Sequence, residues 1–96
     1  GHREGSDLSA LTPVLHELLA AIAELPSAKA RETLTQHVQT AQNALVEQNP
    51  PEPGRAKQAL DAVNSAAEVL EGGEKILGLC SKLYQLVAPL LGLPTP

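Results

Sequence analysis

The chain has 96 residues, a formal net charge of −4 and 1% aromatic residues, with Tyr84 the only ring besides histidine and no Phe, Trp or Met. This length makes one domain. The scattered Lys and Arg exclude both the basic face of a nucleic-acid binder and the polybasic segment of a membrane-surface protein. A core without large rings must be assembled from Leu, Val, Ile and Ala, which suits close helix–helix packing and sheets poorly. The expected fold class is therefore all-α.

The chain opens Gly1-His2, which looks like the scar of a removed tag, and residues 1–7 read as a polar, frayed end. The start and the absence of Met lead to the expectation of a domain excised from a larger protein, or of a short protein trimmed at its start, and the Ala-, Leu- and Pro-rich composition suits a bacterial gene. The lone Cys80 provides no disulfide framework, so a cytoplasmic chain is expected.

Helix 1 is expected to start at Thr12-Pro13, with Thr12 as N-cap and Pro13 in the first turn, although a turn could begin at Asp7 or Ser9. Leu11, Val14, Leu15, Leu18, Leu19, Ile22 and Leu25 recur at i, i+3, i+4 and i+7, which gives an amphipathic helix ended by Pro26. Ser27 should cap helix 2, running to about Gln48. Its stripe of Ala30, Leu34, Val38, Ala41 and Leu45 is thin, so this helix is expected to be the most exposed and least stable.

Residues 49–54, with Pro50, Pro51, Pro53 and Gly54, cannot continue a helix. They form a linker between two helical hairpins, 8–48 and 55–93. Helix 3 is expected over Arg55–Glu71, with a narrow stripe of Ala56, Ala59, Leu60, Val63, Ala66, Ala67 and Leu70 that lets a neighbouring backbone approach closely. Gly72-Gly73 marks either a helix end or a hinge in a continuous helix. Helix 4 starts at Glu74 and bends near Pro89, and residues 94–96 form a tail. Short connections at Pro26-Ser27 and Gly72-Gly73 predict an antiparallel four-helix bundle made of two hairpins.

Helix 4 has the widest apolar face. Ile76, Leu77, Leu79, Cys80, Leu83, Tyr84, Leu86, Val87, Leu90 and Leu91 fall within an arc of roughly 180°, where a single core needs a stripe of about 100°. The helix is thus either the central element of the bundle or half of a contact with something else. The candidate interface is Leu79, Leu86 and Leu93 on one edge of the arc and Leu77, Tyr84 and Leu91 on the other.

No pattern for catalysis, a metal or a cofactor is present: the sequence lacks a phosphate-binding glycine loop, H-E-x-x-H and C-x-x-C. His37 lies inside the apolar arc of helix 2, where it is either a half-buried group satisfied locally or a pH-sensitive contact. His16 has no ligand partner one turn on, because position 20 is Ala. Cys80, on the apolar face, reads as a small buried hydrophobe. Glu68, Glu71 and Glu74 read as a solvated face beside Lys75.

The run Arg55-Ala56-Lys57-Gln58-Ala59-Leu60, through Val63, Ala66-Ala67-Glu68-Val69-Leu70, Ile76-Leu77 and Leu90-Leu91-Gly92, resembles the helical hairpins of small bacterial adaptor-like modules attached to conflict-system and signalling effectors. The resemblance covers the second half of the chain and rests on an Ala/Leu/Glu-rich pattern. It implies a recruitment or self-association domain and assigns no site residue. The expected function is a non-catalytic protein–protein interaction or oligomerisation module, with a protein partner, foremost a second copy in a dimer. The alternative is a bundle that binds an apolar ligand or lipid. Attachment to a membrane surface through helix 4 is disfavoured by the acidic balance.

Overall fold

The structure is a computed structural model. It describes residues 2–48 and 50–91, with the side chains of 2–9, 90 and 91 outside the description. Among these residues there are four α-helices and no strand: α1 (His2–Ala23), α2 (Ala28–Gln42), α3 (Pro53–Glu68) and α4 (Glu74–Val87). A π turn (Asn43–Glu47) extends α2, and a 3-10 turn (Ala88–Leu91) extends α4.

The helices form an antiparallel four-helix bundle made of two hairpins. α1 packs on α2 and α4, α3 packs on α2 and α4, and neither diagonal pair is in contact among the described residues. Each helix thus neighbours its chain-order neighbours, and α4 returns to α1 to close the square. Short connections leave consecutive helices no choice but to lie side by side.

α1 departs from the expected start. It begins at His2, so the backbone of residues 2–7 is helical rather than frayed, and Pro13 lies inside the helix. Pro13 lacks an N–H and removes the bond to the carbonyl of Ser9. It sits on the exposed side, where water can replace the lost partner. Leu11, Val14, Leu15, Leu18, Ile22 and Leu25 are buried as the periodicity predicts, with Leu19 half-buried. α1 ends at Ala23, and the N–H of Leu25 donates to the carbonyl of Ile22 at 3.0 Å to turn the chain.

Ser27 caps α2, its Oγ accepting the N–H of Ala30 at 3.2 Å. The Arg31 guanidinium donates to the carbonyl of Leu25 and ties α2 to the end of α1. At its other end α2 widens. The N–H of Gln48 donates to the carbonyl of Asn43 at 2.9 Å, one residue further back than in an α-helix. The Asn43 amide donates to Glu47 Oε1 at 3.0 Å and accepts from Gln48 Nε2 at 3.2 Å. The N–H of Glu52 donates to the carbonyl of Ala44 at 2.7 Å and folds the proline segment back on the turn. α3 starts at Pro53, earlier than Arg55, because proline is pre-shaped for a first helical turn and needs no N–H partner there.

The Gly72-Gly73 question resolves as a break. α3 stops at Glu68, Gly72 takes φ +82° and Gly73 precedes α4 as its N-cap. A Cβ on Gly73 would lie 2.2 Å from the carbonyl oxygen of Ala67, so only glycine permits so close a return. The core is wholly apolar: no polar or charged residue is buried among the described residues. No helix of the described residues is long and apolar enough to cross a membrane.

Candidate functional site

The expected seam on α4 lies mostly inside the bundle. Ile76, Leu79, Cys80, Leu83 and Val87 are buried, Leu79 at 7% exposure. Leu77, Tyr84 and Leu86 are half-buried and packed against the same core. The backbone of Leu91 belongs to the 3-10 turn, its side chain lies outside the description, and Leu93 lies outside the described residues. α4 meets α1 on one flank and α3 on the other, as each helix of the square meets two neighbours, so the number of neighbours does not by itself account for the width of its arc.

The polar groups along α3 and α4 form a clasp. Tyr84 donates its hydroxyl to Asp61 Oδ1 at 2.6 Å, and Lys57 donates to Asp61 Oδ2 at 3.0 Å. Hydrogen bonds from Tyr84 and then Lys57 hold the Asp61 carboxyl below the usual carboxylate range. Partial burial, followed by the bond to Asp61, raises the Tyr84 phenol above its ordinary value. This arrangement joins two helices and positions no group for proton transfer to a third. Cys80 is fully buried, and burial pushes its thiol up to about 11, so it holds its proton at neutral pH. His37 is half-buried and His16 exposed.

An apolar depression lies between α2 and α3. It is a shallow groove of about 280 Å³ between the first turns of α2 and the last turn of α3. Ala30, Leu34, Ala66 and Leu70 line its floor, with Ser27, Lys29 and Thr33 on the α2 side and Val69 on the α3 side. Small side chains on both helices, Ala30 and Ala66, leave the space unfilled. Val69 is 85% exposed, against 42% for Val46, the other exposed large hydrophobe among the described residues.

Sequence reasoning placed Ala30, Leu34, Ala66 and Leu70 on core stripes and passed over Val69. The signal was available: Val69 sits between Glu68 and the stripe residue Leu70, so it is an apolar residue off the apolar face. That the stripes of α2 and α3 gape at this level depends on which residues meet across the seam, which neither helix encodes alone.

No family model, characterised protein or solved structure matches the chain.

Proposed function

We propose that the chain is a non-catalytic helical protein–protein interaction module whose contact surface is the α2–α3 groove. The observation that supports this reading is the apolar depression with Val69 standing at its lip at 85% exposure. An isolated exposed valine needs no explanation, and what supports the reading is that this one borders an apolar recess. The burial of Cys80 leaves the chain's one thiol without access to a substrate. The resemblance of the second half to bacterial adaptor-like modules agrees with the reading.

The groove suits a protein side chain better than a lipid. Small-molecule and lipid sites bury most of their ligand's surface, whereas this groove lies open to solvent. The seam thereby moves from α4, where Leu77, Leu79, Tyr84 and Leu86 serve the bundle, to the opposite flank of α3.

A photoreactive residue at position 69, compared with one at Ser81 on the exposed side of α4, tests this in cells producing the protein. Crosslinks to protein from position 69 and few from position 81 are expected. Equal yields at both positions, or none at either, would overturn the reading.

A further inference from the structure

We draw no further inference here: the strongest candidate, the occupant of the apolar groove between α2 and α3 with Val69 at its lip, carries nothing beyond the reading above, because nothing in the structure shows what covers that surface.

Discussion

At the end of α3 the two flanks carry the same residue type and finish in opposite states, although α2 and α3 pack closely along the rest of their length. Towards α4, small residues let the chain close tightly: Gly73 returns so near Ala67 that no side chain fits, and Tyr84 reaches across to Asp61. Towards α2, small residues leave a gap, because Ala66 shares its level with Ala30 and neither fills the space. Alanine on a helix face therefore permits close approach without enforcing it. Whether it yields a tight seam or a groove depends on what stands opposite.

The closed flank breaks most easily from its core. Leu83 is fully buried on α4, so Leu83→Ala should cost about 2–5 kcal/mol. Urea denaturation reads this as a large fall in midpoint at unchanged slope. An unchanged midpoint would mean that α4 does not hold the bundle together.

Gly73→Ala comes next. Its Cβ meets backbone, which cannot rotate away, and the strain should cost about 1–3 kcal/mol. Gly72→Ala has open space around it and meets only the left-handed conformation, at about 1–2 kcal/mol. If the Gly73 variant is the more stable of the two by thermal melting, the close return of the chain on Ala67 is wrong.

The open flank can be sharpened by filling it. Ala66→Leu, at a half-buried position on the groove floor, should stabilise the fold by about 0.5–2 kcal/mol, as cavity filling does, and abolish contact through the groove. A variant that melts lower than the parent would show that the recess cannot accept a larger side chain.

The smallest effect belongs to the clasp. Tyr84→Phe removes the bond to Asp61 at a solvent-facing site and should cost about 0.5–1 kcal/mol near neutral pH. The signs of the two shifts fix its pH dependence. The lowered carboxyl of Asp61 contributes stability that is present above the ordinary carboxylate range and is lost as acid protonates it. The raised phenol of Tyr84 contributes stability that is present below about pH 10 and is lost as alkali ionises it. Tyr84→Phe should therefore flatten both limbs of a melting-temperature profile while leaving the apolar core intact. A profile unchanged at both ends would exclude the clasp as a contributor.

Much of this was legible in local sequence. The period of Leu11 to Leu25 located α1, Ser27 announced a cap that is made, and the proline segment separated the hairpins. Boundaries slipped where a local signal met a tolerant setting. Pro13 reads as a start, yet it lies within α1 because its missing bond falls on the wet side. The stripe of α3 reads to Glu71, yet the helix stops at Glu68 because the chain turns back early enough for Gly73 to reach Ala67. The thin stripe of α2 is nonetheless buried at Leu34, Val38 and Ala41, and continues into Ala44 and Leu45 through the π turn.

The sequence by itself determined the helices, their order and their inward faces, because periodicity, caps and prolines act over one or two turns and need no partner. Only the tertiary structure decided that α4 serves two neighbours, that Tyr84 finds Asp61, and that Ala30 and Ala66 leave a groove beneath Val69. Each of those outcomes is a relation between residues far apart in the chain, and the width of an apolar face on one helix does not say how many neighbours will cover it.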